Sequence, residues 1–128
     1  MASRTPIIAV VDDDQSMRRS LARLLNARGF VTECYNSAEA FLEAKAEDRT
    51  DFLILDINLT GMSGIQLRRR LAVSLRVIFI TGADDDGIER EALEAGCIAF
   101  LRKPFSPELL ISTITEALAV LREVGFAW

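Results

Sequence analysis

The sequence contains no histidine. A histidine base, a histidine metal ligand and a phosphohistidine carrier are therefore excluded within the chain, and any such group must come from a partner. Cysteine is scarce as well. Cys34 and Cys97 lie far apart and show no CxxC or other metal-binding spacing, so we expect two small apolar side chains in a reducing compartment.

Long apolar runs and an excess of basic residues are also missing. No apolar run approaches the ~20 residues that a membrane helix needs. We expect no signal peptide, because Arg4 and Pro6 precede only a short apolar run, 7–11, before acidic residues begin. The net charge is −4, whereas a nucleic-acid backbone is bound by a basic face. These absences predict a cytoplasmic protein that contacts neither a membrane nor nucleic acid directly.

The remaining composition is that of one globular domain. The chain has 128 residues, and 50% of them are hydrophobic, which is enough for a core without disulfides or metal. Four short apolar runs are unbroken, which is typical of parallel strands covered on both faces. These runs are 7–11, 52–55, 77–80 and 98–101, and the mixed segment 30–35 is predicted to be an edge strand.

Amphipathic segments separate the predicted strands. Ser37 and Ser106 can cap the second and fifth helices, while Gly29 and Gly96 can end the first and fourth. The residues predicted to form the apolar face of each helix, from the first to the fifth, are Met17, Leu21, Leu24 and Leu25; Phe41 and Leu42; Ile65, Leu67 and Leu71; Ile88, Ala92 and Leu93; and Leu110, Ile111, Ile114, Leu118 and Leu121. This alternation predicts an α/β fold with a doubly wound parallel sheet and right-handed crossovers. We expect a single domain over 1–128, with 123–128 as its tail or as the start of a linker.

Chemically active side chains follow the predicted strands. Asp12 and Asp13 come after the first strand, Asp56 ends the third, Thr81 ends the fourth and Lys103 follows the fifth. An open α/β sheet binds its ligands at this carboxyl edge, where the strand order reverses. Each residue alone has an ordinary explanation, such as an acidic surface loop, a helix cap or a surface lysine. Their joint placement favours a functional site, as does an acid that closes a buried apolar run.

The three acids predict a bound cation. Carboxylates that share one crevice repel one another unless a cation lies between them. Oxygen ligands favour Mg²⁺, Mn²⁺ or Ca²⁺, and a few carboxylates with retained waters suit Mg²⁺ best. An aspartate beside Mg²⁺ can attack phosphorus and form an acyl phosphate. Mg²⁺, Lys103 and the Thr81 hydroxyl could then each hold one phosphoryl oxygen.

These segments resemble the receiver domains of two-component response regulators. Segment 10–13 is similar to the acidic pair of that family, 56–64 to its phosphoacceptor loop, 81–83 to its switch hydroxyl motif and 95–105 to its closing signature. The resemblance covers nearly the whole chain. It implies a flavodoxin-like (βα)5 fold whose five strands lie in the order 2-1-3-4-5.

The resemblance also implies a role for each site residue. Asp56 would be the phosphoacceptor and a metal ligand. Asp13 would bind Mg²⁺ directly, with Mn²⁺ as the alternative ion, while Asp12 would bind it through water. The backbone carbonyl of Asn58 would complete the protein ligands. Lys103 would pair with the phosphoryl oxygens.

A switch is implied in the same way. After phosphorylation, Thr81 would move to bond the phosphoryl group and Phe100 would rotate inward. The face formed by the fourth helix, fifth strand and fifth helix would then signal to a downstream protein, a fused output domain or a second phosphorylated copy of the chain. The donor would be a histidine kinase or a histidine phosphotransfer protein. The domain would not be an enzyme proper and would have only weak self-catalysed phosphotransfer and dephosphorylation. In the family, the peptide bond that corresponds to Lys103–Pro104 is often cis.

Two departures and two alternatives stay open. Thr60 stands where the family usually has proline, which fixes φ, so we expect a more mobile loop after Asp56. Cys97 stands where alanine is common. One alternative is a haloacid-dehalogenase-like phosphatase, although Glu108 and Glu116 do not form the acidic pair that such an enzyme needs after its lysine. The other is a pseudo-receiver that is never phosphorylated, against which the complete set of acids argues.

Overall fold

Five strands alternate with five helices, as the sequence predicts. The computed structural model describes residues 5–82 and 86–123, with side chains except at 86 and 121–123. The elements are β1 Ile7–Val11, α1 Gln15–Ala27, β2 Val31–Tyr35, α2 Ala38–Glu43, a 3₁₀ turn at Glu47–Arg49, β3 Phe52–Asp56, α3 Gly64–Arg70, β4 Arg76–Thr81, α4 Asp86–Ala95, β5 Ala99–Arg102 and α5 Pro107–Glu123. The predicted strands therefore differ from the observed ones by about one residue at each end.

The five strands form one parallel sheet in the order β2-β1-β3-β4-β5, which confirms the predicted topology. β3 lies at the centre and is buried along its whole length. β1 pairs with β3 so that Val11 lies beside Leu55. The residues that follow, Asp12 and Asp56, therefore emerge next to each other at the carboxyl edge.

The sheet separates two hydrophobic cores. Alternate residues of β3 point to opposite faces, with Phe52 and Ile54 in one core and Leu53 and Leu55 in the other. The first core is completed by α1 and α5, through Leu21, Leu25, Leu110, Ile111, Ile114 and Leu118. The second core is completed by α2, α3 and α4, through Ala38, Phe41, Ile65, Leu67 and Ala92. Helices on both faces leave only the sheet edges and ends open for binding.

Short polar side chains fix where several helices begin. The Ser37 hydroxyl accepts a hydrogen bond from the Ala40 amide at 3.0 Å, and the Ser106 hydroxyl accepts one from Leu109 at 3.1 Å, which confirms both predicted caps. Asp14 caps α1 in the same way, by accepting from the Ser16 amide at 2.9 Å. Each cap satisfies a first-turn amide that has no partner within its own helix.

Parts of the predicted apolar pattern were wrong. Leu93 is 58% exposed, because α4 packs on the sheet through Ala92 and Leu93 points about 100° further around the helix. Ile98 is 43% exposed and precedes β5 rather than belonging to it. Both cysteines are free, and Cys34 lies exposed on the edge strand. Within the described residues, no helix is long and apolar enough to cross a membrane.

Some sequence predictions lie outside the described residues. They are the leader argument that rests on Arg4, the end of the switch motif at Ala83, the core position of the Leu121 side chain and the tail over 124–128.

Candidate functional site

Three aspartates meet at the carboxyl edge of β1 and β3. One carboxylate oxygen from each of Asp12, Asp13 and Asp56 lies within 4.8 Å of the others. Asp12 is fully buried and Asp56 is 4% exposed, whereas Asp13 is exposed to solvent. The predicted convergence is therefore confirmed, and two of the three charges lie away from water.

Lys103 reaches the same pocket from the loop after β5. Its Nζ donates to Asp12 Oδ2 at 3.1 Å and to Asp56 Oδ2 at 3.3 Å. The backbone amide of Lys103 donates to the Thr81 carbonyl at 2.7 Å, and the following bond to Pro104 is cis. Burial lowers the pKa of Lys103, but the hydrogen bond to Asp12 and the charges of both acids outweigh it and raise that pKa overall. The side chain is therefore held as an ammonium ion.

The electrostatic balance of the pocket is negative. Burial raises the pKa of Asp56, and repulsion by Asp12 raises it further, while Lys103 and the Asn58 amide oppose the change. Among the described side chains, Lys103 is the only cation paired with these acids. One positive charge against three negative charges leaves a site that gains from a divalent cation.

The donor set fits a hard cation such as Mg²⁺. All three side chains offer carboxylate oxygens, the ligands that Mg²⁺ prefers. The existing hydrogen bonds do not exhaust them. Asp56 accepts from Lys103 and from the Asn58 amide at 3.2 Å, and Asp12 accepts from Lys103 and from the Asp14 amide at 2.9 Å. An ionised carboxylate has about four acceptor positions, so each acid keeps capacity for a metal ion or its waters.

Thr81 is the last residue of β4 and is fully buried. Its hydroxyl oxygen accepts a hydrogen bond from the Asn58 side-chain amide at 3.1 Å. Because the main-chain amide of Asn58 also bonds Asp56, a single residue connects the predicted phosphoacceptor to the predicted switch hydroxyl. From the sequence, only the backbone carbonyl of Asn58 was predicted to take part in the site, so this side-chain contact was not foreseen.

The Phe100 side chain on β5 is partly buried. Its ring packs against the core formed by α2, α3 and α4 but stays partly exposed. The Arg102 guanidinium lies 5.3 Å from the ring centroid and also pairs with Glu89 of α4 at 3.3 Å. The predicted inward rotation concerns a second state, and it stays a prediction.

The loop after Asp56 is tied down at several points. Gly64 has no room for a side chain, because a Cβ there would collide with the Asp56 carbonyl oxygen. Gly61 adopts φ +83°, a conformation that favours glycine. The next amide, that of Met62, donates to Glu39 Oε2 of α2 at 3.0 Å. These contacts hold the backbone that carries Asp56 in one conformation, and the greater mobility expected from Thr60 stays a prediction.

Three further contacts around the pocket were not predicted from the sequence. The Thr60 hydroxyl donates to Asp13 Oδ2 at 3.3 Å, Glu39 accepts from the loop, and Arg18 Nη1 donates to the Asp12 carbonyl at 2.7 Å. The partners of Thr60 and Glu39 are 47 and 23 residues away along the chain. Only Arg18 had a local signal, since it lies one helical turn after the acidic segment.

Fold and pocket together define a class of protein. It is the class of CheY-like doubly wound domains whose carboxyl edge carries an acidic pocket paired with a lysine. The sequence matches the family model described as the response regulator receiver domain over residues 8–115. The chain belongs to this family, whose members act in two-component signalling.

Similar proteins support this assignment. The chain is 37% identical over 119 residues to nodulation protein W of Bradyrhizobium diazoefficiens, covering 91% of this chain and 52% of that protein. It is 36% identical over 113 residues to the transcriptional regulatory protein FixJ of Rhizobium meliloti, covering 86% and 55%. The chain thus spans about half the length of these relatives. A receiver protein from Burkholderia phymatum superposes with a TM-score of 0.80 at 43% identity, covering 90% of this chain and 96% of that one.

Proposed function

We propose that this receiver domain accepts a phosphoryl group on Asp56 in a Mg²⁺-dependent reaction and passes the signal on by a change of shape. The observation that carries the proposal is the Lys103 ammonium, 3.3 Å from Asp56 and 3.1 Å from Asp12, in a pocket that keeps excess negative charge. A pocket of this charge suits a divalent cation. Together with Lys103, that cation can neutralise an incoming phosphoryl group.

The chain's own residues would divide the chemistry as follows. A carboxylate oxygen of Asp56 attacks the phosphorus of a phosphohistidine on a histidine kinase or phosphotransfer protein. The new oxygen–phosphorus bond forms as the phosphorus–nitrogen bond breaks, and its electron pair returns to the donor imidazole. Lys103 neutralises phosphoryl oxygens during the transfer, and the Thr81 hydroxyl bonds one of them afterwards.

The metal would be held by Asp13 and Asp56 directly, by Asp12 through water and by the Asn58 carbonyl. Mg²⁺, or Mn²⁺ in its place, supplies charge neutralisation for the transferring group. Three carboxylates within 4.8 Å of one another, two of them buried, support this ligand set.

The output would be a protein contact made by α4, β5 and α5. Apolar side chains are exposed on these helices, namely Leu93 at 58%, Leu109 at 47% and Val120 at 58%. Such side chains suit a protein partner, a fused output domain or a second copy of the chain. The named relatives are about twice as long, which favours a fused output domain. A cytoplasmic location and a single domain over 1–128 stay predictions.

Phosphorylation by a small donor tests the proposal. Acetyl phosphate with Mg²⁺ should add the mass of one phosphoryl group to the intact protein, and EDTA or Asp56→Asn should prevent it. Asp48→Asn, an exposed acid before β3, is the matched control and should be labelled normally. Normal labelling of Asp56→Asn would reject the assignment. No labelling of the wild type would favour the pseudo-receiver, and turnover of phosphate esters would favour the phosphatase.

A further inference from the structure

Asp13 differs from the other two acids in how its side chain is held. Asp12 and Asp56 are buried and accept from Lys103 and from backbone amides. Asp13 is exposed, and among the described residues the Thr60 hydroxyl is the only donor to its carboxylate, at 3.3 Å. The orientation of this one acid therefore depends on a side chain from the opposite loop.

The backbone next to Thr60 is itself constrained. Thr60 precedes Gly61, which has φ +83°, and the Met62 amide is bound to Glu39 of α2 at 3.0 Å. That hydrogen bond also lowers the pKa of Glu39, as expected for a carboxylate that accepts from a backbone amide. The loop is thus fixed on the side of α2, and the Thr60 hydroxyl extends from it toward Asp13.

We propose that Thr60 is a positioning residue for the metal site, whose hydroxyl turns the Asp13 carboxylate toward the ion and so raises the affinity for Mg²⁺. This inference rests on the proposed function, because it requires the Mg²⁺ site. The hydroxyl bonds Oδ2, which leaves Oδ1 and the remaining lone pairs of Oδ2 for the metal. Hydrogen bonds to a metal-ligating carboxylate commonly orient it and strengthen binding.

The expected effect is moderate. Loss of such an outer contact typically weakens metal binding about 10- to 100-fold. The contact to Asp13 is exposed and long, so its loss should raise the dissociation constant for Mg²⁺ by about three- to tenfold. A donor on Asp13 that instead competed with the metal for the same oxygen would have the opposite effect. The sign of the change therefore separates positioning from competition.

The experiment compares three variants by Mg²⁺ titration calorimetry on the unphosphorylated protein. Thr60→Val keeps the shape but loses the hydroxyl, and it should bind Mg²⁺ about three- to tenfold more weakly. Thr60→Ser restores a hydroxyl and should bind like the wild type. Thr32→Val is the matched control, because Thr32 donates to Asn26 on the distant edge of the sheet at 2.9 Å. Thermal unfolding in EDTA confirms that each variant is folded.

Each result bears on the inference. Unchanged or tighter Mg²⁺ binding by Thr60→Val overturns it, as does weak binding by a folded Thr60→Ser. If Thr60→Val does not fold, Thr60→Ala removes the same hydroxyl and takes its place in the comparison. A wild type that binds no Mg²⁺ overturns the proposed function together with the inference. If the wild type binds Mg²⁺ and Thr60→Val binds it with the same dissociation constant, the inference is overturned while the proposed function stands.

Discussion

Asp56→Asn should make the metal-free protein more stable. The substitution keeps the size of the side chain and removes one negative charge from a pocket where three carboxylates lie within 4.8 Å. Unfolding separates these charges, so their repulsion and the burial of Asp56 weaken only the folded state. The raised pKa of Asp56, caused first by burial and then by Asp12, has the same origin. The proposed role of Asp56 and the stability of the fold are therefore in conflict at this residue.

The size of the gain follows from opposing contributions. Two carboxylates no more than 4.8 Å apart repel by at least roughly 3.5 kcal/mol at an effective dielectric constant of about 20. The ion pair of Lys103 and Asp56 at 3.3 Å returns roughly 5 kcal/mol on the same scale. Asp12 and Asp13 both repel Asp56, but water screens the charge of the exposed Asp13. Their combined repulsion is therefore close in size to the attraction by Lys103, and the free-energy cost of burying the Asp56 charge remains. We expect a net gain of about 1 kcal/mol, or about 4 °C in melting temperature for a domain of this size.

The gain should depend on pH in a defined direction. The unfolded chain loses the Asp56 proton near the ordinary pKa of 3.8, whereas the folded protein keeps it to higher pH. Stability contributed by this group is therefore present below pH ~4 and is lost as pH rises through the folded pKa. The asparagine side chain of the variant carries no such proton. The difference between variant and wild type should be small near pH 4, grow with pH and become constant at higher pH.

Thermal unfolding in EDTA at several pH values measures this difference, with Asp48→Asn as the control acid. A Mg²⁺ series then tests the cause. Mg²⁺ at a hundred times its dissociation constant should stabilise the wild type by ~2.7 kcal/mol. The variant has lost a ligand and should gain less, so the two melting curves should approach each other. If Asp56→Asn is less stable in EDTA, or if Mg²⁺ shifts neither protein, the three acids do not share one metal site.

Three further changes test other parts of the pocket and switch. Lys103→Met should lower the free energy of unfolding in EDTA by about 2 kcal/mol, because two buried acids lose their cation, and unchanged urea denaturation would contradict this. Gly64→Ala should cost about 2 kcal/mol through collision with the Asp56 backbone, whereas Gly82→Ala, where no described atom beyond its chain neighbours lies within 4 Å of the added Cβ, should cost little in the same assay. Thr81→Ala and Phe100→Ala should leave labelling by acetyl phosphate largely intact but abolish the change in partner binding or dimerisation caused by beryllofluoride. A full response in both variants would refute that assignment.

The sheet could be predicted because its signal is local and redundant. β3 is an unbroken apolar run that is buried on both faces, and Asp56 follows it directly. The residues at the ends of β1, β4 and β5 converge on Asp56 because parallel strands share one carboxyl edge. This convergence needs the strand order but no side-chain detail, which is why the acids and Lys103 could be named from the sequence.

Contacts between side chains of different loops could not be predicted in this way. Arg68 shows the limit, since it lies in a run of three arginines and yet is only 4% exposed. Its guanidinium donates to the carbonyl oxygens of Gly96, Ala72 and Val73. Helical periodicity places Arg68 on the side of Ile65 but does not reveal that carbonyl groups there satisfy a buried charge. The contact of Thr60 with Asp13 is likewise invisible to helical or strand periodicity, because its two residues lie 47 positions apart in different loops.

The contacts around Thr81 give a physical reason why the pocket and the α4–β5–α5 face should respond together. Asn58 bonds both Asp56 and the Thr81 hydroxyl, and Thr81 lies beside Arg102 in the pairing of β4 with β5. Arg102 in turn contacts the Phe100 ring and pairs with Glu89 of α4. A phosphoryl group on Asp56 that drew the Thr81 hydroxyl toward itself would break the bond to Asn58. This chain of contacts predicts that the effects of losing the Thr81 hydroxyl and the Phe100 ring will not add, because both would act on the same proposed pair of arrangements of β5 and α4.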